Sequence, residues 1–270
     1  MAITIKTKQE IDLLREGGKR LAEVLSRVAG AVAAGISTYE LDLLGEKMIQ
    51  ESGGVPSFKG YASRGSSRPY PASLCISVND EIVHAIPRKN AILKEGDIVG
   101  LDIGMWWPVR EGIAKQNGRP DGALCTDMAI TVGVGSISKE AERLMRATKE
   151  SLDIGIQAVR AGVHIGDIGA AIEARLKKDK LGIIRDLAGH GVGYQLHEDP
   201  LIPNFGKPYS GVELKEDMVI AIEPMATLGD WRVILADDQW TFKTADGSLG
   251  AHFEHTMAVT REGAEVLTKI

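Results

Sequence analysis

The chain of 270 residues has the composition of an ordinary globular protein, with 44% hydrophobic and 26% charged residues. A formal net charge of −5 argues against nucleic acid as a partner, because phosphate binding needs concentrated Lys and Arg. Two cysteines are too few for a disulfide scaffold, and we find neither a signal peptide nor an apolar stretch long enough to cross a membrane. We therefore expect a cytoplasmic globular protein without membrane contact.

The elements predicted for the first half begin with an amphipathic helix at 8–33, where apolar residues recur at helical spacing. We expect Gly35 to end this helix, because glycine readily adopts the left-handed conformation that follows a helix C-terminus. Ser37 and Glu40 have the spacing of a capping box and predict the start of a second helix. Strands are then predicted for three apolar runs, at 75–78, 98–104 and 128–135.

The second half follows the same plan. A helix is predicted at 138–160, ended by Gly162, and strands are predicted at 218–224 and 256–260. Helices followed by strands in each half indicate an α+β fold, in which helices cover one face of a curved, mainly antiparallel sheet.

Two internal sequence repeats support this division into halves. Residues 31–41 align with 158–168 at an offset of 127 residues, and residues 93–102 align with 214–223 at an offset of 121. Two matches in the same order at nearly the same offset indicate a duplication. We predict one domain over 1–270, built from pseudo-twofold related halves at about 5–135 and 136–264.

The repeat brings two acidic residues into register, Asp102 and Glu223, each predicted at the end of an apolar strand. Another acid opens a later strand in each half, Asp127 in the first and Glu254 in the second. A single such acid is usually a solvated strand-end residue. Four of them at symmetric positions instead predict convergence at the pseudo-axis. Because carboxylates that close cannot all ionise without cations between them, we predict a di-metal site there.

His190 is the candidate nitrogen ligand of this site. It lies in the stretch GHGVG, whose glycines leave room for close backbone approach. Taken alone, a histidine in such a stretch is more often an ordinary turn residue. The four acids favour the ligand interpretation.

The five residues and their contexts resemble a known ligand pattern. Asp102, Asp127, His190, Glu223 and Glu254 occur in GLDIG, CTDMAIT, GHGVG, AIEPM and HFEHT. This set is similar to that of the type I methionine aminopeptidases, which have the pita-bread fold of peptidase family M24. The resemblance covers essentially the whole chain and looks like the short bacterial form, since the spacing from His197 to Glu223 leaves no room for the helical insertion of type II enzymes.

The resemblance implies a role for each ligand. Asp127 and Glu254 would bridge two divalent ions (Co, Mn, Fe, Zn or Ni), and Asp102 would chelate the second ion. His190 and Glu223 would complete the shell of the first ion. A water or hydroxide between the ions would attack the carbonyl of the substrate's first residue.

The resemblance also implies three catalytic residues, of which two contact the substrate directly. Glu223 would carry the proton from the water to the leaving amine. His197 would polarise the developing oxyanion, and His84 would bond near the scissile nitrogen. Candidates for the methionine pocket, with plain core packing as the equal alternative, are Cys75, Tyr61, Leu196 and Trp240.

These roles imply a monomeric exopeptidase that removes the initiator methionine from nascent polypeptide N-termini near the ribosome. Two alternatives stay open from the residues. One is a pita-bread aminopeptidase with another N-terminal preference, such as proline, because such enzymes share the same ligands. The other is a pita-bread protein that binds peptides without catalysis.

Two features depart from the family pattern. We predict an insertion at about 105–124, an exposed loop near the site that includes Trp106 and Trp107, and a lid, a partner contact and a tolerated insertion all remain open as its purpose. His252 stands where the family has Gln, two residues before Glu254, which leaves open an extra ligand.

Overall fold

The computed structural model describes residues 3–62, 68–109, 115–116 and 119–269. These residues form four helices: α1 (Lys8–Gly30), α2 (Thr38–Glu51), α3 (Lys139–Ala158) and α4 (Ile165–Lys178). The strands of the first half are β1 (Val55–Pro56), β2 (Leu74–Val78), β3 (Glu81–Val83), β4 (Ile98–Trp107), β5 (Lys115–Gln116), β6 (Arg119–Pro120) and β7 (Leu124–Gly133). The second half has β8 (Gly182–Ile183), β9 (Ala188–Gly191), β10 (Glu198–Pro203), β11 (Val219–Ile222), β12 (Met225–Thr227), β13 (Val233–Leu235), β14 (Phe242–Thr244), β15 (Gly250–His252), β16 (Glu254–Val259) and β17 (Ala264–Val266).

The helices begin where their caps are. Thr7 and Glu10 form a capping box at α1, and Ser37 and Glu40 form the predicted one at α2. The apolar face of α1 is buried, and this burial supplies most of a helix's stability in a protein. Both long helices are slightly shorter than predicted, because their C-cap residues are Ala31 and Val159, the second of which is already extended.

The prediction that Gly35 and Gly162 directly end their helices is wrong. Both do adopt the left-handed conformation, with φ of 94° and 86°. Each lies in the turn that follows the helix and donates its N–H to a distant carbonyl, of Leu93 and Leu214 respectively. The glycines are therefore needed where the chain turns to meet the next segment, and not as helix caps.

The two halves repeat their hydrogen bonding as well as their sequence. An isolated bridge pairs Ser37 with Ile92 in the first half, and another pairs His164 with Glu213 in the second. These positions are separated by the same 127 and 121 residues that align the sequence repeats. The sequence repeat therefore corresponds to a repeated backbone contact. In each half, the N-cap residue of the second helix pairs with a residue ahead of a main-sheet strand, β4 or β11.

Nine strands of the described residues form the main sheet, in the order β1-β4-β7-β16-β11-β9-β10, with β2 paired to β4 and β17 to β16. Every pairing in it is antiparallel. Its longest pairing joins β4 to β7 over all ten residues of each strand. The expected α+β fold with helices and mainly antiparallel sheets is confirmed.

The sheet has two different faces, since successive side chains of a strand point to opposite sides. Leu101 and Ile103 of β4 pack in one core cluster with residues of α1, and Ile220 and Ile222 of β11 pack in another with α3 and α4. The helices therefore cover one face. Asp102 lies between Leu101 and Ile103, so its side chain points to the other face.

The predicted exposed loop does not begin where expected. Trp106 and Trp107 lie in β4, where they pair with Cys125 and Leu124. Trp106 is 5% exposed, and the Trp107 indole N–H donates to the Ser52 carbonyl at 3.3 Å. The prediction that both tryptophans belong to an exposed loop is wrong, because strand pairing continues past the apolar run. Part of the proposed insertion, residues 110–114 and 117–118, lies outside the described residues.

Among the described residues, no helix is both long enough and apolar enough to cross a membrane.

Candidate metal centre and active site

The four acids lie on the sheet face away from the helices. Asp102 is in the middle of β4, Asp127 is the fourth residue of β7, Glu254 is the first residue of β16, and Glu223 directly follows β11. The expectation of strand-end acids therefore holds for Glu223 and Glu254 only. β4 and β7 are longer than their apolar runs because the polar and aromatic residues around them also pair.

Strand register brings the acids together. Asp102 and Glu254 each lie opposite Ala129 of β7, one from each side. The small alanine side chain leaves space between the two carboxylates. Asp127 is two residues before Ala129 and therefore points to the same face. Its backbone is held by Thr256, whose hydroxyl donates to the Asp127 carbonyl at 2.7 Å and accepts from its N–H at 3.0 Å.

His190 reaches the same face from β9, where it pairs with Ala221 of β11. Its Nδ1 bonds the Gly191 carbonyl at 2.9 Å, and its Nε2 lies 3.6 Å from Glu223 Oε1. Since a carbonyl only accepts, Nδ1 carries the proton and Nε2 presents its lone pair to the acids. This is the tautomer that a metal-binding histidine needs.

The glycines around His190 do permit close backbone approach, and the approaching backbone is that of neighbouring strands. A Cβ on Gly189 would lie 2.4 Å from the Ala221 carbonyl oxygen, and one on Gly191 would lie 2.4 Å from the Asp199 carbonyl oxygen. They permit close packing of β9 against its neighbouring strands, and this packing brings His190 to the acids.

The carboxylates are buried without basic partners. Within the described chain, none of the four forms an ion pair with Lys or Arg, and three of their oxygen atoms have no hydrogen-bond partner: Asp102 Oδ1, Asp127 Oδ1 and Glu254 Oε1. Burial raises the pKa of Asp102 to about 7. Burial, together with the charges of the neighbouring acids, raises the pKa values of Asp127, Glu223 and Glu254 well above the ordinary range. Unpaired buried carboxylates are costly, so this arrangement calls for a cation.

The donor set fits a divalent metal. Ligand atoms of Asp127, His190 and Glu254 all lie within 4.8 Å of one another, and all three residues are buried. Carboxylate oxygens with one imidazole nitrogen suit Mn, Fe, Co, Ni or Zn. The partnerless oxygens are the atoms that such an ion would satisfy.

The other two candidate histidines lie beside this group. The His197 ring is 4.4 Å from that of His190, and its Nδ1 lies 2.7 Å from the Tyr61 hydroxyl. His84 packs on Phe242 and has a left-handed backbone with φ of 59°, an uncommon conformation that often marks a functional position. Burial lowers the pKa of His84 to about 4 and that of His197 well below its usual value, so both imidazoles are neutral at pH 7.

One cavity of about 370 Å³ is lined by all eleven residues that sequence reasoning selected: Tyr61, Cys75, His84, Asp102, Asp127, His190, Leu196, His197, Glu223, Trp240 and Glu254. The structure thus brings the whole predicted set together, while the role of each residue stays a prediction. Among further wall residues are Phe58, Tyr70, Phe242 and His252. The aromatic ones carried no sequence signal, because they come from separate segments that meet only in the fold.

A comparison with family models matches residues 12–261 to metallopeptidase family M24. The chain belongs to metallopeptidase family M24. Similar proteins match this chain over nearly its full length. The chain is 43% identical to a methionine aminopeptidase of Clostridium perfringens, over 99% of both chains, and 41% identical to one of Aquifex aeolicus, over 100% of both chains.

Solved structures with similar folds include the following two. A methionine aminopeptidase of Thermotoga maritima superposes with a TM-score of 0.90 at 39% identity and covers 100% of both chains. A prolidase of Pyrococcus furiosus superposes with a TM-score of 0.73 at 22% identity, over 98% of this chain and 65% of that one. The prolidase likeness is one of fold. Together these matches confirm the pita-bread architecture expected from the ligand pattern.

Proposed function

We propose that this chain is a metal-dependent exopeptidase that removes the initiator methionine from nascent polypeptides. The observation that carries the proposal is a shared cavity in which buried carboxylates, without a basic partner among the described residues, lie beside neutral histidines and an apolar wall. Full-length similarity to enzymes named methionine aminopeptidase favours this reading over a proline-type preference. A protein that only binds peptides would not need an unpaired acid cluster.

Two divalent ions are proposed for the centre. Asp127 and Glu254 would bridge them, Asp102 would bind the second ion, and His190 and Glu223 would bind the first. Bound divalent ions lower the pKa of a coordinated water and polarise a substrate carbonyl. Which of Co, Mn, Fe, Zn or Ni serves is a question for metal analysis.

Glu223 is the proposed proton carrier. Its carboxylate lines the cavity, with Oε1 3.6 Å from His190 Nε2, so it would lie beside a water held by the proposed ions and could take up its proton. It could then deliver that proton to the leaving amine.

His197 is the proposed donor to the substrate carbonyl oxygen. Because burial raises the pKa of Tyr61, its phenol stays protonated and donates to His197 Nδ1. The proton of the neutral imidazole then lies on Nε2, which is free to donate to a developing oxyanion. His84, neutral for the same reason of burial, would bond at the scissile nitrogen.

The methionine side chain is proposed to bind between Cys75, Tyr61, Leu196 and Trp240. Phe58 and Tyr70 complete this wall, and the Tyr70 and Trp240 rings meet edge-on at 5.3 Å. Such an apolar, aromatic pocket suits an unbranched thioether, which makes favourable contacts with aromatic rings.

We further propose that the chain acts as one catalytic domain of two halves, at about 5–135 and 136–264. It would work as a monomer in the cytoplasm, on nascent N-termini near the ribosome.

A peptide assay tests the function. Protein loaded with Co²⁺ or Mn²⁺ should release methionine from Met-Ala-Ser and leave Arg-Pro-containing peptides intact. The reverse preference would refute the methionine assignment. Release of neither residue from the metal-loaded protein would favour the non-catalytic alternative.

A variant tests the role of His197. His197→Ala should lower kcat by ~10²–10³-fold, the usual effect of removing one oxyanion donor, while metal content stays as in the wild type. Loss of metal from this variant would instead show that His197 is a ligand.

A further inference from the structure

His252 lies at the edge of the acid group and takes no part in the mechanism described above. It is the last residue of β15, opposite Met225 of β12, and it is 3% exposed. Its Nε2 has no hydrogen-bond partner among the described residues, although it faces the cavity. A buried ring nitrogen in this state has lost its bonds to water without replacement, which is unfavourable.

Two carboxylates face this nitrogen. His252 Nε2 lies 3.7 Å from Glu223 Oε2 and 3.9 Å from Glu254 Oε2. Both distances are too long for a hydrogen bond. Ligand atoms that each lie ~2.0–2.2 Å from one ion are separated by roughly 3–4 Å, so each of these two distances is one that a pair of ligands on the same ion would have.

His190 has the same relation to the other oxygen of Glu223. Its Nε2 lies 3.6 Å from Glu223 Oε1, and His252 Nε2 faces Oε2. Each oxygen of this carboxylate therefore faces one imidazole nitrogen. Because His190 is already the expected ligand, the matching position of His252 points to the same role.

The backbone of His252 is fixed for this purpose. Its N–H donates to the Thr131 hydroxyl at 3.0 Å, and that hydroxyl donates to its carbonyl at 2.8 Å. Thr131 belongs to β7, the strand that also carries Asp127. His255, by contrast, has its ring nitrogen satisfied by the Thr268 hydroxyl at 3.0 Å. His252 is thus held in place but left with a free ligand atom.

We propose that His252 is a second imidazole ligand of the metal centre, on a cation shared with Glu223 and Glu254. The proposal rests on the proposed function only in requiring that the site holds a divalent metal. A second nitrogen favours Zn²⁺, Co²⁺ and Ni²⁺ over Mn²⁺, which prefers oxygen. The centre should therefore be selective for the borderline ions.

X-ray absorption spectroscopy counts the imidazoles directly. The full-length protein, without a histidine tag, is loaded with Zn²⁺. The spectrum gives the number of imidazole nitrogens per metal ion, and elemental analysis gives the number of metal ions per chain. Their product is the number of imidazole ligands per chain. Two imidazoles per chain are expected for the wild type and one for His252→Gln. One imidazole in the wild type overturns the proposal, and this result does not depend on how any variant folds.

Metal competition gives an independent readout. The ratio of Zn²⁺ to Mn²⁺ affinity should fall at least ~10-fold in His252→Gln. Even loss of a residue that hydrogen-bonds to a metal ligand lowers metal affinity by about 10–100-fold. His164→Gln is the matched control, because His164 is partly exposed at the start of α4 and should change neither readout. Circular dichroism is the check that both variants are folded. An unchanged affinity ratio in His252→Gln contradicts the proposal.

The two proposals fail in different ways. A wild-type protein that binds no divalent metal and releases no methionine fails the proposed function. A wild-type protein that binds metal and cleaves Met-Ala-Ser, but contains one imidazole, fails only the assignment of His252.

Discussion

Two regions of this molecule bury carboxylates, and they do so in opposite ways. Glu198, at the start of β10, is 4% exposed and has a full set of partners. It accepts from the Lys6 ammonium at 2.7 Å, from the Gln195 N–H at 2.9 Å and from the Tyr194 N–H at 2.5 Å, and the Thr4 hydroxyl also donates to it. Burial alone would raise its pKa, but the charge of Lys6 and these donors outweigh burial and lower it.

Asp102, Asp127 and Glu254, which line the cavity, are buried to a similar degree, and none of them forms an ion pair with Lys or Arg in the described chain. Their pKa values are raised, because desolvation and mutual repulsion act without compensation. Burial by itself therefore does not distinguish the ion-paired carboxylate from the candidate metal ligands. The difference is whether the protein itself supplies the positive charge or leaves that to a bound metal.

The largest expected effect is at the unpaired acids. Asp127→Asn should reduce metal affinity by more than ~100-fold and abolish methionine release. Loss of a residue that only hydrogen-bonds to a metal ligand already costs up to ~100-fold, and loss of the ligand itself should cost more. The same change should leave the metal-free protein as stable as the wild type or more so, since it replaces an acid whose ionised form is disfavoured by burial and by Asp102 and Glu223. Elemental analysis and thermal unfolding with chelator measure the two effects. Retention of two metals per chain would contradict the bridging role of Asp127.

The opposite result is expected at the paired acid. Glu198→Gln should lower the free energy of unfolding by about 3–5 kcal/mol, because it leaves the Lys6 ammonium buried without a counter-charge. Urea unfolding measures this loss. Glu216→Gln, which breaks an exposed pair with Arg261, is the control and should change stability by less than about 1 kcal/mol. Equal effects of the two substitutions would show that the Lys6–Glu198 pair is not structural.

The smallest expected effect is a difference in pH dependence. Because the pKa of Asp102 is raised to about 7 from an ordinary 3.8, the folded metal-free protein binds the extra proton between these values. The contribution of Asp102 to stability should therefore fall as pH rises through this interval, as should the contributions of the other acids that line the cavity, while the buried histidines, whose pKa values are lowered, contribute in the opposite direction. The pKa of Glu198 is lowered, so the stability from that pair should be present above pH ~4.5 and be lost as pH falls below it.

Unfolding of the metal-free protein at a series of pH values checks both signs. The free energy of unfolding of Asp102→Asn minus that of the wild type should rise between pH 4 and 7, and the stability lost in Glu198→Gln relative to the wild type should shrink on the acid side. A difference between Asp102→Asn and the wild type that stays constant over this interval would contradict the raised pKa of Asp102.

Much of the site was predictable because its signals are local or repeated. The five ligand candidates stand in short stretches that resemble a family pattern, and the duplication aligns Asp102 with Glu223 independently of that pattern. The capping boxes at α1 and α2 depend on residues three apart, and Ser37 with Glu40 was recognised from that spacing alone.

Other features could not be read from the chain. Sequence reasoning put Trp106 and Trp107 in an exposed loop, because the residues that follow them have mixed charge and turn-forming types. Pairing with Cys125 and Leu124 instead extends β4, and only the partner strand determines that pairing. Gly35 and Gly162, which were expected to end helices, instead donate to the carbonyls of Leu93 and Leu214. These contacts also depend on segments that only the fold brings together.

The sequence by itself determined the acids, the histidines, the repeat and the family, since each is a matter of residue type and spacing. Tertiary structure alone decided which buried charges have partners. Glu198 pairs with Lys6 from 192 residues away, while Asp102 and Glu254 lie on either side of Ala129 with no Lys or Arg of the described residues paired to them. Only the fold places His252 Nε2 between two carboxylates, because strand pairing brings together side chains that are far apart along the chain.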